Sequence, residues 1–165
     1  MTRTVLIIED NPGIGELVRM QVTDLGMDAI LVDRGDDGLE RFNQGGIDLV
    51  ILDLMLPDTN GYKVCEQLRR DDPVVPIIML TSRKDMNSLT QAFMAGANDY
   101  VTKPFDRFEL QARMRSCLRL KSELDRRRAS ERRETPVADA EVFSETPVGI
   151  GDVIGTKAGF NASLL

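Results

Sequence analysis

The feature that most constrains the fold of this chain is a continuous apolar run, Leu49 to Leu52, that ends directly on Asp53. A short apolar run without alternation is typical of a strand that is buried on both faces. The next residues, LMLPDTNG, end in the turn formers Pro, Asn and Gly. Asp53 therefore lies where a buried strand emerges. Because burial without a partner disfavours a charged carboxylate, Asp53 either caps a loop or is held for chemistry.

Short apolar runs alternate with helical patterns along the chain. The predicted strands are residues 4–8, 28–32, 48–53, 76–80 and 99–102. Apolar spacing predicts helices over 12–25, 35–43, 62–70 and 86–95, and a long helix beginning near Phe105. In the fourth helix the candidate inward positions are Met86, Leu89, Phe93 and Met94. Strand–helix alternation with short crossovers predicts a parallel sheet with helices on both faces.

Polar side chains stand at the carboxyl ends of four of these strands: Glu9 and Asp10, Asp53, Thr81, and Lys103. Ligands of such sheets bind at this edge. Carboxylates gathered there need a cation or a proton. Oxygen ligands without His or Cys favour a hard cation, and Mg²⁺ suits a site with few protein ligands. Together with the cation, a hydroxyl and an ammonium could neutralise a phosphoryl group that Asp53 receives as nucleophile.

The amino-acid composition excludes several kinds of active site. The chain contains no histidine, which excludes Ser-His and Cys-His nucleophiles and makes a zinc site improbable. Its two cysteines, Cys65 and Cys117, lack metal-ligand spacing and are interpreted as reduced, packed thiols. The chain has no apolar run long enough to cross a membrane and no signal peptide, so we expect a cytoplasmic protein without a membrane partner.

Four segments carry a family resemblance: LIIEDN, VILDLMLPDTNGYKVCEQLR, PIIMLTS and AGANDYVTKPF. Over about residues 3–122 the chain resembles the receiver domain of two-component response regulators. The resemblance implies an α/β fold, a flavodoxin-like doubly wound sheet of five parallel strands in the order 2-1-3-4-5. It also implies a regulatory phosphoacceptor that catalyses only its own phosphorylation and dephosphorylation, and not a classical enzyme.

The same resemblance implies roles for single residues. Asp53 is the phosphoacceptor, and Thr81 and Lys103 contact the phosphoryl group. The Mg²⁺ ligands are Glu9, Asp10, Asp53 and the backbone carbonyl of Met55, with Glu9 acting through water. Thr81 and Tyr100 form the switch, and the Lys103–Pro104 bond is cis.

The same resemblance also implies partners for the protein. Since the chain has no histidine, the donor phosphohistidine belongs to a sensor histidine kinase or a histidine phosphotransfer protein, and acetyl phosphate is a small-molecule alternative. In the winged-helix transcription-factor class, the surface of helix 4, strand 5 and helix 5 forms a homodimer through salt bridges. Asp99, Arg113 and Arg119 resemble members of that set. Leu89 and Met94 replace charged positions, which favours a more apolar contact or a different partner.

The last third of the chain changes in charge. Residues 113–133 carry nine Lys or Arg and three Asp or Glu, whereas residues 134–165 carry one and five. We predict a receiver domain over 1–122, a basic helical extension over 123–134 and a mostly disordered tail over 135–165. The basic helix leaves two functions open: a stand-alone phosphorelay protein, or the receiver portion of a truncated DNA-binding regulator, suggested by GIGDVI at 149–154. DNA is the less favoured partner because no recognition pattern is present.

Overall fold

The computed structural model of the chain describes residues 1–134. The chain divides into two compact units, Met1–Arg128 and Ala129–Leu165. Of the second unit only residues 129–134, the end of a helix, are described, and the predicted disordered tail at 135–165 lies outside the described residues. Within residues 1–134 no helix is both long and apolar enough to span a bilayer.

Five strands and five helices alternate along the described chain. The strands are β1 (Thr4–Ile8), β2 (Asp28–Val32), β3 (Leu49–Asp53), β4 (Ile77–Thr81) and β5 (Asp99–Thr102). The helices are α1 (Pro12–Asp24), α2 (Gly35–Asn43), α3 (Gly61–Asp71), α4 (Met86–Ala95) and α5 (Arg107–Glu134). All strand pairs are parallel, in the order β2-β1-β3-β4-β5. The flavodoxin-like doubly wound sheet is therefore confirmed.

The central strands β1, β3 and β4 are buried on both faces because successive side chains enter two different cores. In β3, Val50 and Leu52 pack into one core with α3, whereas Leu49 and Ile51 pack into the other with α1 and α5. Every residue of β3 and β4 is buried. The unbroken apolar runs in the sequence thus have a direct cause, since no face of the central strands meets water.

The inward face of α4 differs from the prediction. Met86 and Met94 are 74% and 82% exposed, and Phe93 also faces solvent, so three of the four predicted inward positions are wrong. Leu89 is partly buried against the core. The buried positions of α4 are instead the small residues Ser88, Ala92 and Ala95. Small side chains let α4 pack closely, and the larger apolar residues are left on its outer face.

Arg69 holds the connections on either side of β4 and α4 in place. Its guanidinium donates five hydrogen bonds, to the carbonyls of Asp72, Val75 and Gly96 and to the side chain of Asn98. Gly96, the C-cap of α4, has φ +109°, a left-handed conformation that favours glycine. One side chain on α3 therefore satisfies backbone acceptors of two loops.

We expect Arg69→Ala to lower the free energy of unfolding by roughly 2–4 kcal/mol, because several partly buried carbonyls lose a charged donor at once. Arg70→Ala is the matched control. Arg70 is exposed and lies 3.9 Å from Glu66, so its loss should change stability by less than about 0.5 kcal/mol. Urea unfolding of both variants measures the difference, and equal effects would show that the Arg69 hydrogen bonds contribute little.

Candidate functional site

The sheet topology brings the predicted polar residues to one edge. Asp53 and Thr81 are the last residues of the neighbouring strands β3 and β4. Glu9 and Asp10 directly follow β1, which pairs with the other side of β3. Lys103 directly follows β5, the neighbour of β4. The central strand β3 thus delivers Asp53 between the acidic pair on one side and the hydroxyl and ammonium groups on the other.

Three carboxylates meet at this edge. Oxygen atoms of Glu9, Asp10 and Asp53 all lie within 4.8 Å of one another. Glu9 and Asp53 are 2% and 4% exposed, whereas Asp10 is open to solvent. The Lys103 Nζ donates to Glu9 Oε2 at 2.8 Å and lies 3.4 Å from Asp53 Oδ1. Lys103 is therefore the cation that offsets the buried negative charge of this cluster.

Burial and crowding act on the central carboxylate. Burial has the largest effect and the negative charge of Glu9 the second largest, and together they raise the pKa of Asp53 to about 7. The Lys103 ammonium and the Met55 N–H, which donates to Asp53 Oδ1 at 3.3 Å, oppose that rise in the pKa of Asp53. Burial beside Glu9 thus favours the protonated form of the Asp53 carboxyl until a cation or an ammonium offsets the negative charge.

The donor set fits a small hard cation. Three clustered carboxylates offer oxygen only, and one of them, Asp10, faces solvent and leaves room for waters. This is the arrangement that Mg²⁺ prefers, since it keeps several of its waters and takes few protein ligands. No histidine or cysteine competes for a softer metal in this cluster. Glu9, Asp10 and Asp53 are the residues that could hold the ion.

The two predicted switch residues share a neighbour. The Thr81 Oγ1 accepts a hydrogen bond from the Arg83 N–H at 3.2 Å. The Tyr100 Oη donates to the Arg83 carbonyl. Both Thr81 and Tyr100 are buried, and burial raises the pKa of the Tyr100 phenol. The backbone of Arg83, between β4 and α4, is therefore held by both side chains.

A cavity of about 590 Å³ opens over the carboxylate cluster. Its wall includes Ser82 and the cis-bonded pair Lys103–Pro104. Leu17 and Met55 also line it and are 46% and 59% exposed. The cluster is thus accessible to a reactant of modest size, through a mouth with apolar side chains.

The loop after Asp53 is tightly packed. A Cβ on Gly61 would come within 2.4 Å of the Asp53 carbonyl oxygen and 2.7 Å of Leu54 Cα. Gly61 also donates its N–H to the Leu54 carbonyl at 2.8 Å, while Met55 and Asn60 form a bridge. Only glycine fits at this first position of α3, and the closed loop orients Met55 beside Asp53.

The residues predicted for an interface are not all brought together. Arg113 pairs with Asp99 at 2.9 Å between α5 and β5. Arg119 lies elsewhere on α5 and lines a cavity with Arg3 and Asp24. Leu89 is partly buried and Met94 is exposed on α4. Within one chain, Asp99 and Arg113 therefore form an ion pair, and Arg119 is not part of it.

Sequence reasoning missed residues that act through their backbone or shape. Arg83 contributes only its peptide group to the switch residues. Asn11 donates its N–H to Glu9 Oε1 at 3.1 Å and caps α1 through its side chain. Of these, only Asn11 had a usable signal, since Asn before a Pro that begins a helix is a typical cap.

Comparisons with known proteins agree with this geometry. Residues 5–115 match the family model described as the response regulator receiver domain. The transcriptional activator protein IrlR of Burkholderia pseudomallei is 44% identical over 115 residues, 70% of this chain and 50% of that protein. The DNA-binding dual master transcriptional regulator RpaA of Synechocystis is 42% identical over 117 residues, 70% of this chain and 48% of that protein.

A solved receiver-domain structure is also similar to this chain in fold and sequence. The BeF3-activated receiver domain of DrrB, a Thermotoga maritima OmpR/PhoB homologue, is 33% identical with a TM-score of 0.68, covering 72% of this chain and 99% of that one. The chain spans about half the length of the curated relatives it matches. The predicted resemblance is confirmed, and this chain belongs to the response regulator receiver domain family of two-component signal transduction.

Proposed function

We propose that this chain is a phosphorylation-controlled switch in which Asp53 accepts a phosphoryl group from a phosphohistidine on a sensor histidine kinase or a phosphotransfer protein. The observation that carries the proposal is the buried Asp53 carboxylate between two further acids and the Lys103 ammonium at 3.4 Å. A metal ion held by the three acids would neutralise this carboxylate on one side, and the Lys103 ammonium lies beside it on the other. That arrangement suits an incoming phosphoryl group.

In the proposed reaction an Asp53 carboxylate oxygen attacks phosphorus, a P–O bond forms, and the P–N bond to the donor imidazole breaks. The imidazole leaves with the bonding electron pair and takes up a proton. Mg²⁺ held by Glu9, Asp10, Asp53 and the Met55 carbonyl would supply charge neutralisation of the phosphoryl oxygens. Lys103, now 2.8 Å from Glu9, would turn its ammonium to a phosphoryl oxygen. The exposed apolar side chains of Leu17 and Met55 at the cavity mouth suit a docking helix of the donor.

The conformational change that follows phosphorylation would begin at Thr81. Its hydroxyl oxygen accepts from the Arg83 N–H, so the hydroxyl hydrogen is available for a phosphoryl oxygen. Movement of Thr81 toward Asp53 would lengthen its contact with Arg83 and free the neighbouring Tyr100, whose hydroxyl is bonded to the Arg83 carbonyl. The β4–α4 connection and the outer face of α4 would then shift together, which is a two-state change biased by local charge.

The proposal predicts a mass gain of about 80 Da, one phosphoryl group on the nucleophile, when the protein is incubated with acetyl phosphate and Mg²⁺. Intact-mass spectrometry measures it. Asp53→Asn and an EDTA-treated sample should both show no gain, since one lacks the nucleophile and the other the metal. Asp58→Asn, on the neighbouring loop, is the matched control and should be modified like the wild type. A gain that persists in Asp53→Asn would contradict the assignment.

A second candidate function is the receiver portion of a DNA-binding transcription regulator. The relatives IrlR and RpaA are transcription regulators about twice the matched length, which favours it. In that role a phosphorylation-dependent homodimer would form on the α4–β5–α5 surface. Asp99 and Arg113 already pair within one chain, and α4 exposes three large apolar side chains, those of Met86, Phe93 and Met94.

We therefore expect beryllofluoride-treated protein to sediment as a dimer whose affinity changes little between low and high salt. Met94→Glu should abolish the dimer because Met94 is 82% exposed on this surface. Met20→Glu is the control, since Met20 is 53% exposed on α1. A dimer that dissociates steeply with salt would argue for exchanged ion pairs of Asp99 and Arg113 instead.

A further inference from the structure

A second cavity lies at the opposite edge of the sheet from Asp53. It measures about 690 Å³ and is lined by the residues before β1, the connection between α1 and β2, and one side of α5. Arg3 precedes β1, whereas Glu9 follows it. Because β1 is five residues long, the two edges are separated by roughly 17 Å. The cavity is therefore distinct from the phosphoacceptor site.

Its wall carries an unusual concentration of positive charge. Four arginines line it, Arg3, Arg115, Arg119 and Arg126. Positions 115, 119 and 126 recur at helical spacing and so fall on one side of α5. The net charge of residues 1–112 is negative by contrast, since they carry 11 Lys or Arg against 19 Asp or Glu.

These arginines form no salt bridge within the described part of the chain. The one carboxylate in the cavity wall, Asp24, pairs with Arg107 at 2.9 Å. Among residues 1–134 no Asp or Glu forms a salt bridge with any of the four arginines. Four like charges at one cavity repel one another, and an anion that fits the cavity would remove that repulsion.

Two of the arginines are oriented in advance. Arg3 donates from its Nη2 to the Ser122 hydroxyl, which in turn donates to the Leu118 carbonyl at 3.0 Å. Arg126 donates its Nε–H to the Ser122 carbonyl at 3.4 Å. Guanidinium groups bind phosphate oxygens through two parallel hydrogen bonds, so fixed arginines suit phosphate better than a single mobile ammonium would.

We propose that the cavity lined by Arg3, Arg115, Arg119 and Arg126 binds a small polyphosphate anion of the class of pyrophosphate and nucleoside diphosphates. A ligand with two phosphates brings about three negative charges, which matches four guanidinium groups better than one phosphate does. The volume lies within the range of small-molecule sites. This site is separate from the proposed phosphotransfer and does not depend on it.

Isothermal titration calorimetry of sodium pyrophosphate into the full chain tests the proposal. EDTA and the Asp53→Asn background exclude binding at the phosphoacceptor site. We expect saturable one-site binding, weakened about tenfold or more by the double variant Arg115→Ala/Arg119→Ala, since charge-assisted hydrogen bonds are lost. The control Arg127→Ala/Arg128→Ala removes the same charge from α5 outside the cavity and should change affinity by less than about twofold.

Two further arms complete the test. Arg115→Lys/Arg119→Lys keeps the charge and removes the planar fork, so it should weaken binding severalfold and replaces the alanine variant if the latter unfolds. ADP should bind at least as tightly as pyrophosphate if the site takes nucleotides. Absence of saturable binding, or equal weakening by both alanine double variants, would overturn the proposal. Binding of duplex DNA without binding of pyrophosphate would overturn it too.

Discussion

Replacing Asp53 by Asn should stabilise the metal-free protein at pH 8 by roughly 3–5 kcal/mol, although it removes the proposed nucleophile. The reason is the raised pKa of Asp53, from 3.8 to about 7, since each unit of difference between folded and unfolded states corresponds to about 1.4 kcal/mol. The amide has nearly the same shape and carries no charge into the buried cluster. It therefore avoids the penalty that the carboxylate incurs.

The sign of the pH dependence follows from the direction of the shift. Well below pH 3.8 the Asp53 carboxyl is protonated in both states and contributes nothing. Between that value and about 7 the unfolded chain releases the proton and the folded chain keeps it, so stability falls as pH rises through this window. Above it the loss stays constant.

Urea unfolding in EDTA at pH 5 and pH 8 measures the effect. The wild type should lose more stability than Asp53→Asn over this interval, and the difference between them isolates Asp53 from other titrating groups. Asp37→Asn is the matched control, because Asp37 is exposed on α2, and it should follow the wild type. Equal pH dependence of the wild type and Asp53→Asn would contradict a raised pKa for Asp53. Added Mg²⁺ should offset the penalty at pH 8 and stabilise the wild type more than the variant.

The fold was predictable because its central strands have no polar face. Runs such as Leu49 to Leu52 have one interpretation in a chain that alternates strands and helices, and the two cores in the structure contain all four of these apolar residues of β3. Helix ends were also readable from Gly96 and from Asn60, whose side chain accepts from the Tyr62 N–H at 2.8 Å. Periodicity and capping residues were enough to predict the strands and helices, whereas the strand order came from the family resemblance.

Helix orientation was less predictable. In α4 the large apolar side chains suggested the inward face, yet the small residues Ser88, Ala92 and Ala95 are buried. Hydrophobicity ranks residues by transfer from water and ignores how closely a helix must approach the sheet. Met86 and Met94 are exposed, whereas the buried positions of α4 carry short side chains that let the helix pack closely.

For the site, the sequence predicted which residues meet but not how they interact. That Glu9, Asp53 and Lys103 share an edge follows from parallel topology. That Lys103 bonds to Glu9 at 2.8 Å and lies farther from Asp53, at 3.4 Å, depends on side-chain packing. The role of the Arg83 peptide group left no trace in residue type, since any residue presents the same backbone.

Lys103→Met should have the opposite effect on stability from Asp53→Asn, although both residues belong to one cluster. Methionine keeps the length of the side chain and removes the ammonium that lies 2.8 Å from Glu9 and 3.4 Å from Asp53. Glu9 is almost fully buried and would lose its cation, which typically costs about 3–5 kcal/mol for a buried pair. In the metal-free protein at pH 8 we therefore expect a clear loss of stability.

The same substitution should slow phosphorylation by acetyl phosphate about 10²–10³-fold, the usual effect of removing one preorganised group that stabilises transition-state charge. The time course of the mass gain measures the rate at saturating Mg²⁺, where the metal compensates part of the stability loss. Lys63→Met, an exposed lysine on α3, is the matched control and should react like the wild type. A normal rate for Lys103→Met would mean that Lys103 only neutralises Glu9. The double variant Asp53→Asn/Lys103→Met shows how much of the stability effect of Lys103 depends on Asp53. In the Asp53→Asn background one buried carboxylate is gone, so Lys103→Met should cost less stability there than it does in the wild type.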